Sequence, residues 1–158
     1  MKRIQYFIVS IIGMMLLACS GDDSVIKDEE KPTISLNYID GFPQTCSVLK
    51  RGSSYDFRAL VTDNFELASY SIDIHHNFDH HTHDDQGVNC ELEAVKTAVN
   101  PLIYMENYMI EGGVDEYEII VTVEIPEDVD TGDYHCQYSV TDKTGWQGRT
   151  SIDIKIVE

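Results

Sequence analysis

The chain has few basic residues and lacks the sequence motifs of several common enzyme classes. Only 11 of its 158 residues are Lys or Arg, against 28 Asp and Glu, which gives a formal net charge of −17. Nucleic-acid binding needs clustered basic side chains to neutralise phosphates, so we expect no nucleic-acid partner. The G-x-S-x-G, P-loop and H-E-x-x-H motifs are also missing, and we therefore expect no enzymatic activity.

Hydrophobic residues form one long run, and it is too short to anchor a protein stably across a bilayer. This run, residues 6–17, follows the basic pair Lys2 and Arg3, which is the pattern of a signal peptide. It ends in Leu-Leu-Ala-Cys at 16–19, which resembles the lipobox cleaved by signal peptidase II. The sequence therefore predicts a lipoprotein signal peptide over 1–18 and a lipidated Cys19 whose acyl chains hold the protein to a membrane. An ordinary secretory signal before an unmodified cysteine is the alternative.

A polar, acidic segment follows the cysteine. Its composition over 19–31 is typical of a flexible tether, and Pro32 closes it. An acidic tract directly after a lipidated cysteine also resembles the surface-export signal of Bacteroidota-type lipoproteins. We therefore expect an outer-membrane lipoprotein exposed at the cell surface, with one folded domain over 32–158.

No long helical period is present in this domain, and apolar residues instead alternate with polar ones in short runs bounded by turn residues. The clearest runs are 34–38, 55–62, 70–74, 117–125, 134–140 and 152–156. With a less regular seventh segment at 102–110, they predict an all-β, immunoglobulin-like antiparallel sandwich of about seven strands. Tyr134, two residues before Cys136, matches the tyrosine corner of strand F, although strand B lacks the usual cysteine. A jelly roll is the alternative arrangement of two packed sheets.

Besides Cys19, the chain has three cysteines, so at most one internal disulfide can form among them. Cys46 lies in the predicted A–B loop and Cys90 in the predicted C–D loop, and these loops share one end of a sandwich. We therefore predict a Cys46–Cys90 disulfide, with Cys136 as a buried thiol. Pairing of Cys136 with either of the other two is the alternative.

Five of the six histidines fall within nine residues, 75–83, among acidic residues. Imidazole is the commonest metal ligand in proteins, and carboxylates can share the coordination or orient the rings. This density predicts a transition-metal site, with a pH-sensitive or polar binding loop as the alternative. The candidate ligands in the run are His75, His76, His80, His81, His83, Asp79 and Asp84, with Asp85 in reserve.

His135 is distant in sequence, but we expect it to join this cluster. Residue alternation places both His75 and His135 on the outer face of their sheet. Strands C and F are antiparallel neighbours in an immunoglobulin-like sandwich, so the two Cβ atoms should lie about 5 Å apart. The sequence therefore predicts a site formed by these two residues with His81 and His83, at the end of the domain that faces away from the membrane.

Histidine and carboxylate ligands suit Zn(II), Cu(II) and Ni(II) alike. We favour Zn(II), which is common and needs no redox chemistry, with Cu(II) as the alternative in an oxidising compartment. The expected role is metal capture or handover, with an outer-membrane transporter as a candidate partner. The alternatives are a non-catalytic adhesion or accessory module with a structural histidine cluster and, less favoured, a metal-dependent enzyme.

Three segments carry a resemblance to a known family: IDIHHNFDHHTHD at 72–84, GDYH at 132–135 and VTDKTGW at 140–146. Together they resemble a family of uncharacterised Bacteroidota lipoproteins that is defined by a domain of unknown function. The likeness covers roughly residues 31–158. It implies an immunoglobulin-like lipoprotein domain with the same histidine motifs, and it supplies no activity.

Overall fold

The computed structural model describes residues 27–83 and 90–158. The predicted signal peptide, the predicted lipidation site Cys19, most of the predicted tether, Asp84 and Asp85 lie outside the described residues. Within the described ranges, no helix is long and apolar enough to cross a membrane.

Eight β-strands and no helix make up the described part of the chain. The strands are β1 (Thr33–Ser35), β2 (Ser47–Lys50), β3 (Ser53–Thr62), β4 (Leu67–His76), β5 (Tyr104–Met109), β6 (Glu116–Ile125), β7 (Gly132–Asp142) and β8 (Gln147–Val157). They form a three-stranded sheet in the order β1-β3-β6 and a five-stranded sheet in the order β2-β8-β7-β4-β5. The predicted all-β sandwich is confirmed. The additional strand is β2, which is only four residues long and pairs in parallel with β8, the one parallel pair among these strands.

The core lies between the two sheets and is formed by the alternate residues that the sequence pattern singles out. On β3, Phe57, Ala59 and Val61 are fully buried, Arg58 and Leu60 between them are half-buried, and Asp56 just before them is exposed. Burying each such large apolar side chain stabilises the fold by roughly 1.5–3 kcal/mol, and the period of two fixes which face of every strand turns inward.

The tyrosine corner is present at the start of β7. The buried hydroxyl of Tyr134 donates a hydrogen bond to the carbonyl oxygen of Asp130 at 2.6 Å and accepts one from the amide of Leu102 at 3.2 Å. Burial raises the pKa of Tyr134 to about 12, so the hydroxyl stays protonated as a donor. These bonds fix the start of β7 and therefore the position of His135 next to it.

The position of β5 corrects one expectation. A C–D loop crosses from one sheet to the other in an immunoglobulin domain, but β5 pairs with β4, with Asp73 opposite Met105. The histidine-rich segment therefore connects neighbouring strands of the five-stranded sheet, as a C–C′ loop does. Alternation along the sequence predicts which face of a strand is buried but not which sheet the strand joins, and this is why β5 was misplaced.

The predicted disulfide between Cys46 and Cys90 is confirmed, with Cα atoms 5.6 Å apart, and Cys136 is a buried free thiol. The amide of Cys46 donates a hydrogen bond to the carbonyl oxygen of Asp153 at 2.8 Å. The disulfide therefore lies at the end of the sandwich where β4 ends and β7 begins. The chain enters at the opposite end, where Thr33 of β1 pairs with the last residue of β3.

Candidate metal centre

Four histidines meet on the outer face of the five-stranded sheet: His75, His81, His83 and His135. All six distances between their ring centroids fall between 4.7 and 5.6 Å. These are the four residues that the sequence predicts to share a site. Four rings at nearly equal mutual distances have the arrangement of ligands around one tetrahedral ion.

Two of the four are held by the sheet itself. His75 of β4 lies directly opposite His135 of β7, and their ring centroids are 5.6 Å apart. The neighbours of His135 along the strand, Tyr134 and Cys136, are fully buried in the core. His135 therefore points to the other face, as alternation along the strand predicts.

The other two, His81 and His83, lie on the loop after β4, which folds back over the sheet. Phe78, which is only 3% exposed, anchors this loop by packing edge-on against Tyr134 with ring centroids 5.3 Å apart. The amide of Asn77 donates to the carbonyl oxygen of Asp133 at 2.8 Å, and His80 turns the chain with a φ of +60°. The loop covers His135, which is why this residue is fully buried although it faces away from the core.

The nitrogen atoms of three rings are already close together. One ligand nitrogen from each of His75, His81 and His83 lies within 4.8 Å of those from the other two. The Nε2 atoms of His75 and His83 are 3.1 Å apart, and two nitrogens on a tetrahedral zinc ion would be separated by roughly 3.3 Å. The Nε2 atom of His135 contacts the carbonyl oxygen of His81 at 3.1 Å, so this contact would have to be exchanged for an ion before the ring could act as a fourth ligand.

Carboxylates flank three of the rings at Nδ1. The contacts are Asp73 with His75 at 2.9 Å, Asp79 with His81 at 2.6 Å, and Asp153 with His135 at 2.8 Å. The contacts of Asp73 with His75 and of Asp79 with His81 are hydrogen bonds. The contact between Asp153 and Nδ1 of His135 is an electrostatic one without hydrogen-bond geometry. A carboxylate at Nδ1 orients a ring and leaves Nε2 as the metal-binding nitrogen, which is the usual arrangement around histidine ligands.

Burial keeps His135 neutral. Removal of the ring from water lowers its pKa below the usual 6.5, against the opposing effects of the His81 carbonyl and the Asp153 charge. The hydrogen bond from His81 lowers the pKa of Asp79, so this carboxylate is ionised at neutral pH. His135 therefore keeps a nitrogen lone pair for a metal ion.

The structure places two candidate ligands elsewhere. The ring of His76 stacks on Phe78 with centroids 4.9 Å apart, and the Nε2 atom of His80 lies 2.9 Å from the carbonyl oxygen of Glu93. Neither joins the four-ring cluster. Asp79 lies beside it, where its carboxylate positions His81, and Asp84 falls outside the described residues.

Sequence reasoning missed two of the three orienting carboxylates. Asp73 is two residues before His75 on the same face of β4, so its position was available from the alternation of the strand. Asp153 lies opposite His135 on β8, and finding it requires the register between β7 and β8.

Comparison with known proteins gives a family but no function. Residues 17–157 match the family described as Domain of unknown function (DUF4625). No curated protein matches the chain. Among solved structures, the chain is similar to the crystal structure of Spo0M, a sporulation control protein from Bacillus subtilis, with 8% identity and a TM-score of 0.40. That match covers 81% of this chain and 49% of the other, so the chain spans about half the length of that protein.

A structural similarity this distant carries no information on activity, whereas the family match spans most of the chain. The expected membership in an uncharacterised domain family is therefore confirmed: the chain belongs to the DUF4625 family.

Proposed function

We propose that this protein binds one transition-metal ion through His75, His81, His83 and His135, with Zn(II) as the favoured ion. The observation that carries the proposal is the convergence of three imidazole nitrogens within 4.8 Å, with a fourth ring packed against them. Neutral imidazole nitrogens suit zinc, Cu(II) and Ni(II), and the choice of zinc follows from its preference for tetrahedral nitrogen sites.

The proposed role is capture or handover of the ion. The His135 ring is fully buried, but the side chains of His75 and His81 are 26% and 35% exposed, so one side of the centre is open to solvent. An ion held there can exchange without unfolding of the domain. Four protein ligands are also the pattern of structural zinc sites, so it is the exposure of His75 and His81 that favours an exchangeable ion here.

The position of the centre fits a membrane-anchored capture protein. The chain enters the sandwich at the end opposite the histidine cluster. If Cys19 carries acyl chains in the outer membrane, as the lipobox-like sequence indicates, the centre faces away from that membrane and towards incoming ions. A transporter in the same membrane is the partner that we propose for handover.

The test is a metal titration of the full chain, purified without a histidine tag. We expect about one equivalent of zinc with submicromolar affinity, measured by competition against a chromophoric chelator. His83→Gln removes a proposed ligand and should weaken binding at least tenfold, whereas His76→Gln, a matched change outside the cluster, should leave it unchanged. Absence of binding in the folded wild type, or equal loss in both variants, contradicts the proposal.

Release of the bound ion to a chelator separates the two roles of a metal. Exchange within minutes supports capture and handover, whereas exchange that requires unfolding indicates a structural ion.

A second candidate function, an adhesion or accessory module, is favoured by the exposed methionines of edge strand β5, Met105 at 64% and Met109 at 71%. This candidate takes precedence if no metal binds.

A further inference from the structure

Three carboxylates converge at the end of the sandwich opposite the histidine cluster. Asp28 lies in the segment before β1, Asp63 directly follows β3, and Asp142 is the last residue of β7. One oxygen of each lies within 4.8 Å of an oxygen of each of the other two. Three separate parts of the chain therefore place negative charge at one point, independently of the proposed zinc centre.

Two of the three carboxylates are buried and Asp63 is half-buried, and in the described part of the chain none of them forms an ion pair. Asp142 is 2% exposed and Asp28 is 7% exposed. The Oδ2 atom of Asp142 and the Oδ1 atom of Asp63 are inaccessible to water and accept no hydrogen bond. Within the described ranges, no Lys or Arg nitrogen lies within 4.0 Å of any of the three carboxylates. Buried carboxylate oxygens without a partner are costly, so a cation next to Asp142 Oδ2 and Asp63 Oδ1 would stabilise this arrangement.

Neutral donors hold Asp142 in place while leaving its second oxygen without a partner. Its Oδ1 atom accepts hydrogen bonds from the amides of Thr144, Gly145 and Trp146 at 2.8, 2.6 and 2.9 Å. The loop after β7 therefore fixes the side chain through one oxygen only. The other oxygen is free to bind an ion.

Asp28 is hydrogen-bonded to the loop between β3 and β4 and to the loop between β7 and β8, and this docks the N-terminal segment on the domain. Its Oδ1 accepts from the side-chain amide of Asn64 at 3.0 Å, and its Oδ2 accepts from the hydroxyl of Thr144 at 3.0 Å. The indole of Trp146 donates to its carbonyl oxygen, also at 3.0 Å. A segment with a tether-like composition is thus docked at Asp28 rather than free.

The electrostatics agree with this geometry. Burial, followed by the neighbouring charges of Asp142 and Asp28, raises the pKa of Asp63. A divalent cation beside Asp63 would reverse this effect, whereas hydrogen bonds, first of all from the Glu30 amide, lower the pKa of Asp28.

We propose that Asp28, Asp63 and Asp142 form a calcium site that ties the segment before β1 to the β3–β4 and β7–β8 loops. Oxygen-only donors suit hard cations, in contrast to the nitrogen donors at the other end of the domain. Calcium is favoured over magnesium because it accepts carboxylates in irregular geometry and sheds its water readily. Bound calcium would fix the direction in which the N-terminal segment leaves the domain.

The test uses terbium as a luminescent substitute for calcium, with the full chain as protein. Trp146 is the only tryptophan of the chain, and it contacts both Asp28 and Asp142. Excitation at the red edge of tryptophan absorption should therefore sensitise terbium emission, and added calcium should suppress it. Asp142→Asn, which keeps the Oδ1 acceptor, should abolish the signal. His83→Gln at the zinc centre and Asp56→Asn on the exposed face of β3 should retain it.

Thermal unfolding provides a readout that does not depend on luminescence. Calcium at a hundredfold its Kd should raise the Tm of the wild type by roughly 5–10 °C and leave the Tm of Asp142→Asn and Asp63→Asn unchanged. In a calcium chelator, both variants should be at least as stable as the wild type because each removes one buried like charge. Absence of a calcium-dependent Tm shift in the wild type, or a shift that survives in both variants, would overturn the proposal, whatever the outcome of the zinc titration.

Discussion

Replacement of Asp153 by Asn should weaken zinc binding although this residue is not a ligand. The carboxylate is buried and lies 2.8 Å from Nδ1 of His135, the ring at the base of the cluster. An amide has the same shape but carries no negative charge, so the substitution removes the orienting charge and little packing. Loss of such an orienting partner typically costs 10–100-fold in metal affinity, which corresponds to about 1.4–2.7 kcal/mol.

The expected loss depends on how well water replaces the missing charge. Asp153 is buried, so Asp153→Asn should fall near the upper limit of about a hundredfold. The side chain of Asp73, which bonds to Nδ1 of His75, is 25% exposed. Solvent can partly substitute for it, and Asp73→Asn should lie near the lower limit of about tenfold.

Competition with a chromophoric chelator at neutral pH measures these affinities, and circular dichroism checks that each variant is folded. Asp56→Asn serves as the matched control, since Asp56 is exposed on β3 in the other sheet. If folded Asp153→Asn and Asp73→Asn both bind zinc within twofold of the wild type, the carboxylates do not orient the ligands and our assignment of their roles is wrong.

Four further predictions concern the rest of the chain. The Cys46→Ser/Cys90→Ser variant should lose about 4 kcal/mol of unfolding free energy in urea, because the disulfide closes a 44-residue span; a loss below about 1 kcal/mol would contradict this. Burial raises the pKa of the Cys136 thiol, so iodoacetamide should label it in denaturant but not in the native protein, and native labelling would show that it is accessible. In a chelator, acidification from pH 7.5 to about 5.5 should destabilise the wild type more than His135→Gln. Burial lowers the pKa of His135 in the folded protein, so on acidification the histidine of the unfolded chain is protonated first, near pH 6.5. The free energy of unfolding therefore falls from about that pH down to the folded-state pKa. An equal pH dependence in the two proteins would refute this. Cys19→Ala should release the protein from the membrane fraction into the soluble fraction on centrifugation. If the variant stays in the membrane fraction, the predicted anchor is disproved.

Local alternation was sufficient to predict the sandwich and half of the histidine cluster. A strand has a side-chain period of two, so apolar residues on either side of His75 and His135 determine that both face outward. The disulfide followed from the shared end of two loops. The proximity of His75 and His135 needed one further premise, the pairing of strands C and F in an immunoglobulin-like sandwich, and β4 and β7 do pair in this way.

The sheet that β5 joins and the path of the loop after β4 could not be predicted, because both depend on contacts that a single sequence does not reveal. β5 joins the sheet of β4 rather than the opposite sheet, and both arrangements give the same alternation. The path of the loop after β4 depends on Phe78 inserting against Tyr134, a contact between two residues 56 positions apart. Sequence spacing favoured the four histidines that converge but could not exclude His76 and His80 from the candidate ligands.

The two ends of the domain differ in donor chemistry, and this difference would separate their ions. At one end, the outer face of β4 and β7 presents imidazole nitrogens, with the carboxylates held back at Nδ1. At the other end, Asp63 directly follows β3 and Asp142 is the last residue of β7, and both strands finish at this end of the sandwich, where the carboxylates present oxygen alone. Nitrogen donors select zinc or copper and oxygen donors select calcium, so neither proposed site should compete for the ion of the other. Saturation with calcium should therefore leave the zinc titration unchanged, and a shift of more than a few-fold in zinc affinity would indicate that the two ends are coupled through the β7 strand that joins them.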